Sequence, residues 1–268
     1  MPTDAIRETA VRPIDVMMYL PPITWKGDCV GHIGENDTFF WVLEGECFLL
    51  IEDQATLVRA GQLAFLPKGK MRTYTHAAEP FCMYEMAFSA TADGVDLMDS
   101  LGLREGPFAV DIPDRAEMSR LFEESCRKEL FKDPIHHLEW SANTLTIIHR
   151  YAAAHQTGRT ADTQVFAPVL RRLNEAVGRS VTTEELSALV YMQPTYFIRR
   201  FKAAFGMPPQ VYFRQLKLFR AMHLLVATDL PLEAVAKEIG MDDPSYFARF
   251  FKKSCLVTPS EYRNAFKK

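Results

Sequence analysis

Two basic side chains recur at the same spacing near the C-terminal end of the chain. Arg199 and Lys202 correspond to Arg249 and Lys252, fifty residues further on. A guanidinium group can donate two hydrogen bonds to O6 and N7 of guanine in the major groove. A lysine one helical turn away can reach a backbone phosphate. The pattern therefore predicts contact with double-stranded DNA.

The basic pairs belong to an internal repeat. PTYFIRRFKAAFGMPPQVY (194–212) aligns with PSYFARFFKKSCLVTPSEY (244–262), and 8 of the 19 positions are identical, which indicates a duplication. A short amphipathic segment precedes each copy: TEELSALVYM, for which we expect Thr183 as the cap, and PLEAVAKEIGM, with Pro231 in its first turn. A short helix, a turn and a basic helix form the helix-turn-helix pattern.

Helical periodicity divides each basic helix into two faces. Phenylalanines define the predicted inner face, and small or basic side chains define the outer face. The predicted DNA-contacting residues are Thr195, Ile198, Arg199 and Lys202 in the first copy, and Ser245, Ala248, Arg249 and Lys252 in the second. Because the small residues differ between the copies, we expect the copies to read different base sequences.

The segment between the copies, from Pro208 to about Val226, predicts a single helix. A helix of about 19 residues is ~28 Å long, close to the ~34 Å of one turn of B-DNA. Such a strut could present two helices to successive major grooves. The alternative is a helical bundle in which a basic amphipathic helix is only a solvated face.

Charge is distributed unevenly along the chain. Residues 165–268 contain 16 Lys and Arg against 9 Asp and Glu, whereas residues 1–164 contain 15 against 25. This asymmetry indicates that only the second part meets a polyanion, although charge placed for solubility alone explains it equally well. Five cysteines without a C-x-x-C pair predict reduced thiols in a cytoplasmic protein. No apolar run approaches the ~18 residues of a membrane span.

The first part of the chain predicts a β domain followed by helices. Short aromatic and β-branched runs, such as TFFWVLEG and QLAFLPKG, alternate with turn residues from about Val11 to Ser89, as in a sandwich or barrel. Apolar stripes then predict a pair of helices. We therefore expect an α+β, two-domain chain, divided into a β domain (1–112), a helical pair (113–155), a linker (156–164) and an all-α domain (165–268).

Residues 165–268 resemble the DNA-binding domain of AraC/XylS-type regulators, whose second-unit signature matches IGMDDPSYFARFFKKSCLVTPSEYR. The resemblance implies a transcription regulator, usually an activator, in which both basic helices enter the major groove and whose output reaches RNA polymerase. Four positions depart from the common pattern, where the family usually has Ser, Arg, Phe and Gly: Gln193, Lys217, Met241 and Leu256. These positions concern packing and helix ends, so they affect angles rather than function.

A second, shorter motif lies in the β domain. The run from Gly61 through Pro67 and Gly69 resembles the second motif of cupin barrels, with Arg72 in place of the usual histidine. The matching metal positions of the first motif are Gly31, Ile33 and Thr38, none of which is a plausible ligand. We therefore expect a cupin-like barrel that senses a small molecule, with no metal or other cofactor and no enzymatic activity.

Five residues are predicted to bind the effector at the barrel mouth: Glu44, Arg72, Tyr74, Tyr84 and Met86. The alternative is that the tyrosines only fill the core, and that Glu44 and Arg72 pair or face solvent. For the helical pair, the resemblance implies an antiparallel homodimer contact, with a predicted face that includes Leu121, Leu138, Leu145 and Ile148. The alternative is that these apolar stripes pack on the barrel.

Three hypotheses of function follow. The first is a transcription regulator that responds to a sugar or related metabolite. The second is a cupin-class isomerase or dioxygenase with an accessory DNA-binding tail, which needs a bound metal. The third is a constitutive or architectural DNA-binding protein with an empty barrel, whose DNA affinity would not depend on any metabolite.

Overall fold

A computed structural model of the chain describes residues 8–20, 31–52, 54–76, 80–106, 108–128, 133–158, 165–255 and 257–266. The fold is mixed α+β, with the strands in the N-terminal part and helices alone after residue 165. This agrees with the fold class predicted from the sequence.

Among the described residues, ten strands form two antiparallel sheets. The strands are β1 (Thr9–Tyr19), β2 (His32–Ile33), β3 (Asp37–Glu44), β4 (Glu46–Ile51), β5 (Gln54–Arg59), β6 (Gln62–Leu66), β7 (Met71–His76), β8 (Cys82–Ala92), β9 (Val95–Asp96) and β10 (Ala109–Asp111). One sheet has the order β1-β8-β3-β6-β10, with β9 paired to β8, and the other has the order β2-β7-β4-β5. The pairing of these described strands does not close a ring, so the predicted closed barrel is observed here as two sheets.

Strand β3 is buried on both faces, which explains its continuous apolar sequence. Phe40 and Val42 point between the two sheets, where they share a core with residues such as Leu49. Phe39 and Trp41 point the other way, into a second core beneath the helical pair. The alternation of side chains along a strand therefore assigns its residues to two separate cores.

The described part of the chain contains ten helices beside the sheets. They are α1 (Leu97–Ser100), α2 (Arg115–Lys128), α3 (Pro134–Gly158), α4 (Ala167–Glu175), α5 (Thr183–Ala188), α6 (Pro194–Phe205), α7 (Pro209–Ala227), α8 (Leu232–Glu238), α9 (Pro244–Cys255) and α10 (Pro259–Phe266). The connecting helix α7 lies within one residue, at each end, of the range that the sequence predicts.

The helical pair α2 and α3 packs on the outer face of the larger sheet. The Tyr84 and Phe122 rings stack at 5.7 Å, and Trp41 Nε1 donates a hydrogen bond of 3.0 Å to Ser119 Oγ. Leu121 and Ile148 are consequently only 4% and 2% exposed. Packing within one chain therefore buries these two residues of the predicted dimer face, and in this arrangement they are not available to a second copy.

The helical pair extends further along the chain than predicted. Helix α3 continues to Gly158, so residues 156–158, predicted as linker, are helical. Residues 159–164, the rest of that predicted linker, lie outside the described residues.

The start of α5 differs from the prediction by one residue. Thr182, rather than Thr183, is the N-cap, because its hydroxyl accepts from the Glu185 backbone N–H while the Glu185 carboxylate accepts from the Thr182 N–H. This reciprocal pair is a capping box. It satisfies two backbone donors that the first turn of a helix would otherwise leave unpaired.

Thr182→Ala should lower the free energy of unfolding by about 1 kcal/mol, the usual cost of losing an N-cap side chain. Thr183→Ala is the matched control and should cost less, since its side chain does not cap the helix. Denaturant unfolding of both variants measures the difference. Equal losses would contradict the cap assignment.

Candidate nucleic-acid interface

The C-terminal domain contains two units of the same design. In the first, α5 is followed by a turn at residues 189–193 and then by α6, and in the second α8 is followed by a turn at residues 239–243 and then by α9. The domain thus has the two helix-turn-helix units that the repeat predicts.

Aromatic packing determines which face of α6 and α9 points outward. Phe197 and Phe201 on α6 are fully buried, as are Phe247 and Phe251 on α9. The predicted DNA-contacting residues therefore lie on the opposite sides. Ala248 is half-buried. The other seven are exposed: Thr195, Ile198, Arg199, Lys202, Ser245, Arg249 and Lys252.

Exposed tyrosines accompany the outward arginines. The Arg199 guanidinium carbon lies 5.4 Å from the centre of the Tyr196 ring, within reach of a cation–π interaction. Tyr246 occupies the equivalent position in the second copy and is also exposed. Neither tyrosine was among the residues predicted to contact DNA. The repeat could have pointed to them, because both copies have tyrosine at this position and neither ring is buried in the core.

Helix α7 fixes the two units relative to each other. Ten of its 19 residues are buried, including Tyr212, Leu216 and Phe219. The Lys217 ammonium group donates hydrogen bonds to the carbonyl oxygens of Arg179 (3.1 Å) and Ile239 (2.8 Å), and burial lowers its pKa. The lysine at this position therefore ties α7 to the chain segments after α4 and α8.

Of the predicted effector residues, Arg72 and Tyr74 lie between the two sheets. Arg72 is only 8% exposed, its Nη1 donates to Thr38 Oγ1 at 3.3 Å, and its Nε has no hydrogen-bond partner among the described residues. The Tyr74 ring meets the Phe40 ring edge-on at 5.0 Å. A buried guanidinium with a free donor is costly unless a ligand or water pairs with it.

Glu85 joins this interior group and was missed by the sequence analysis. Burial raises the pKa of Glu85, an effect opposed by a hydrogen bond from Tyr19 and by the charge of Arg72. The alternation of side chains along β8 could have predicted this position. Tyr84 and Met86 share one face of the strand, so Glu85 between them must occupy the other.

The remaining predicted effector residues lie elsewhere. Tyr84 and Met86 face the helical pair, where Tyr84 stacks on Phe122 and Met86 Sδ lies 3.6 Å from Thr144 Oγ1. Glu44 is exposed at the opposite end of β3 from Thr38, six residues or about 20 Å away. The structure therefore does not bring the five residues together, and a ligand between the sheets would not reach these three.

The described part of the chain holds neither a metal-binding cluster nor a helix that could span a membrane. No group of three or more His, Cys, Asp and Glu side chains there could hold a metal ion. No helix in the same ranges is long and apolar enough to cross a membrane.

Comparison with known proteins identifies the C-terminal domain. A family model described as a helix-turn-helix domain matches residues 186–265. The MmsAB operon regulatory protein of Pseudomonas aeruginosa is 33% identical over 91 residues, which cover 34% of this chain and 30% of the relative. The raffinose operon transcriptional regulatory protein RafR of Pediococcus pentosaceus is 22% identical over 257 residues, covering 92% of this chain and 90% of the relative.

Among solved structures, this chain is similar to the DNA-binding domain of AdpA in complex with a target DNA. The identity is 27%, the TM-score is 0.36, and the match covers 38% of this chain and 91% of that one. The first curated relatives are matched over 30% to 35% of their length. The chain therefore matches only about a third of the length of these relatives.

Arg199→Ala and Arg249→Ala should each weaken binding to the cognate DNA by about 1–3 kcal/mol and relax sequence preference at one sub-site only. Footprinting and competition binding at fixed salt measure both effects. Arg171→Ala, on the exposed side of α4, is the control and should leave sequence preference unchanged. Unchanged preference in both test variants would contradict the groove assignment.

Lys252→Ala should weaken binding to all DNA sequences alike, because a phosphate contact carries no base information. The slope of log affinity against log salt should fall by about one. A salt titration of wild type and variant on specific and random duplexes measures this slope. A loss confined to the specific duplex would instead place Lys252 on a base.

Proposed function

We propose that the whole chain is a sequence-specific transcription regulator of the AraC/XylS type. The proposal rests on the match of residues 186–265 to a helix-turn-helix domain. The observation that carries the proposal is the pair of exposed basic faces on α6 and α9. The two faces occupy equivalent positions in the two helix-turn-helix units, and the buried helix α7 connects those units. The net positive charge of residues 165–268 supports the same conclusion.

The N-terminal domain is proposed to sense a small molecule between its sheets. Arg72, Tyr74 and Glu85, with Thr38 and Tyr19 beside them, offer a buried cation, two phenol groups, a carboxyl group and a hydroxyl group. Such a set suits a polar ligand that presents several hydroxyl or carbonyl oxygens to an otherwise apolar wall. The raffinose operon relative spans nearly the whole chain, which supports a sugar or related metabolite as the effector.

Activation through RNA polymerase and assembly as a homodimer complete the proposal. Of the predicted dimer residues, Leu138 and Leu145 remain 69% and 40% exposed on α3. Exposed leucines on one side of a helix suit contact with the same helix of a second copy, because association removes them from water. The proposed dimer face therefore keeps Leu138 and Leu145 and excludes the buried Leu121 and Ile148.

The two competing functions make different demands. A cupin-class enzyme needs a bound metal, so stoichiometric iron, manganese or nickel in the purified protein would favour it. A constitutive DNA-binding protein needs no effector, so identical DNA affinity across a broad metabolite panel would favour that reading. A ligand can shift DNA binding only if it binds two states of the chain with different affinity.

A thermal-shift screen of sugars and related metabolites tests the sensor. We expect at least one compound to raise the melting temperature, since a ligand of the native state stabilises it by mass action. Tyr74→Phe should lower the affinity for that compound several-fold, because losing one hydrogen bond costs about 1 kcal/mol.

Tyr84→Phe is the matched control for this experiment. Its hydroxyl faces α2 rather than the space between the sheets, so the ligand affinity should not change. An equal loss in both variants would contradict the proposed location of the effector.

A further inference from the structure

The smaller sheet has an edge that the helical domain covers. Strand β5 is the last strand in the order β2-β7-β4-β5, and an edge strand presents unpaired backbone donors that must be covered or solvated. The Ala55 backbone N–H donates a buried hydrogen bond of 3.0 Å to the hydroxyl oxygen of Tyr212 on α7. The DNA-binding domain thus satisfies a backbone group of the sensor domain.

Apolar side chains continue this contact. Ala55 and Leu57 are buried in the same cluster as Phe201, Tyr212 and Phe219 of the helical domain, and Phe48 and Leu50 of β4 pack against it. We call the outward side of β4 and β5 the docking face, defined by Phe48, Leu50, Ala55, Leu57 and Arg59.

The docking face meets the end of α6 through a close approach at a glycine. The Arg59 guanidinium donates to the carbonyl oxygen of Gly206, the left-handed C-cap of α6 at φ 76°. A Cβ atom at Gly206 would lie 2.7 Å from Arg59 Nη1, so a larger residue would disturb the contact. The second copy has Leu256 at the equivalent sequence position, so this glycine is a feature of the first copy only.

A cleft of about 940 Å³ lies beside this contact and reaches the DNA-contacting side of α6. The sensor domain contributes Arg59, Asp111 and Arg115 to its lining, and α6 contributes Arg199 and Lys202. The docked sensor domain therefore stands next to two of the side chains proposed to meet DNA.

We propose that the docking face is an interaction surface for the first helix-turn-helix unit of the same chain, and that docking there competes with DNA for α6. The inference rests on the proposed DNA-binding function. The docked form holds Arg199 and Lys202 beside the sensor domain, and the form that binds DNA releases them. Any change that weakens docking increases the fraction of the chain competent to bind DNA.

The same sheet offers a direct route from effector to DNA. Arg72 and Tyr74 on β7 pair with Ile51 and Leu49 on the inner face of the sheet. Leu50, between those two residues of β4, points to the opposite side and packs on the helical domain. One layer of backbone therefore separates the proposed effector site from the docking face, so a shift of β4 or β7 changes both.

The test is DNA binding by the full chain, measured by fluorescence anisotropy at fixed salt without effector. Tyr212→Phe removes the hydroxyl that accepts from Ala55 but keeps the ring, and Arg59→Ala removes the bond to Gly206. Each should tighten DNA binding about fivefold to tenfold, since a lost buried hydrogen bond shifts an equilibrium by roughly that factor. Tighter binding by Arg59→Ala is diagnostic, because removing a positive charge otherwise weakens DNA affinity.

Tyr262→Phe is the matched control, at the equivalent position in the second copy, where the ring packs on Phe251 at 5.2 Å. Its DNA affinity should equal that of wild type. Hydrogen exchange at the Ala55 amide supplies an independent readout and should accelerate when DNA is added.

The outcomes separate this inference from the function on which it rests. A wild-type chain that binds no DNA would overturn both. A wild-type chain that binds DNA, with affinity unchanged or weakened in both variants and with Ala55 exchange unaffected by DNA, would overturn the docking inference alone.

Discussion

The burial of α7 is the constraint on which the rest of the molecule depends. This single helix supplies ten buried side chains, and it packs against α8, α10, α4, α6 and β5. Because a close-packed interior transmits displacement rather than absorbing it, the position of α7 sets the separation of the two basic faces. The same helix carries Tyr212, whose hydroxyl accepts a hydrogen bond from the N-terminal domain.

The smaller sheet has a comparable dual role in the N-terminal domain. Its inner face carries Arg72 and Tyr74, and its outer face carries the apolar residues that meet the helical domain. A strand must place successive residues on opposite faces, so a sheet only one layer thick necessarily connects what lies on its two sides. The larger sheet has an analogous arrangement, with the inter-sheet core on one face and the helical pair on the other.

The errors of the sequence analysis have a common origin in choices that local pattern leaves open. The pairing of Tyr84 with Met86 on one strand face was correct, but that face meets Phe122 rather than the space between the sheets. Leu121 and Ile148 do belong to apolar helical stripes, but the sheet of the same chain covers them. Periodicity identifies which residues share a face and does not say what the face packs against.

The order of residues was enough to predict the all-helical C-terminal domain, the duplication and the outward position of Arg199 and Arg249. These depend on local periodicity and on a repeat within the chain, both of which are visible in the order of residues. Three features depend on how the elements pack in three dimensions. They are the separation of Glu44 from Arg72, the interior position of Glu85 beside Arg72, and the contact of Ala55 with Tyr212. That contact joins residues 157 positions apart, and a contact at such separation depends on how whole elements pack, which no local pattern specifies.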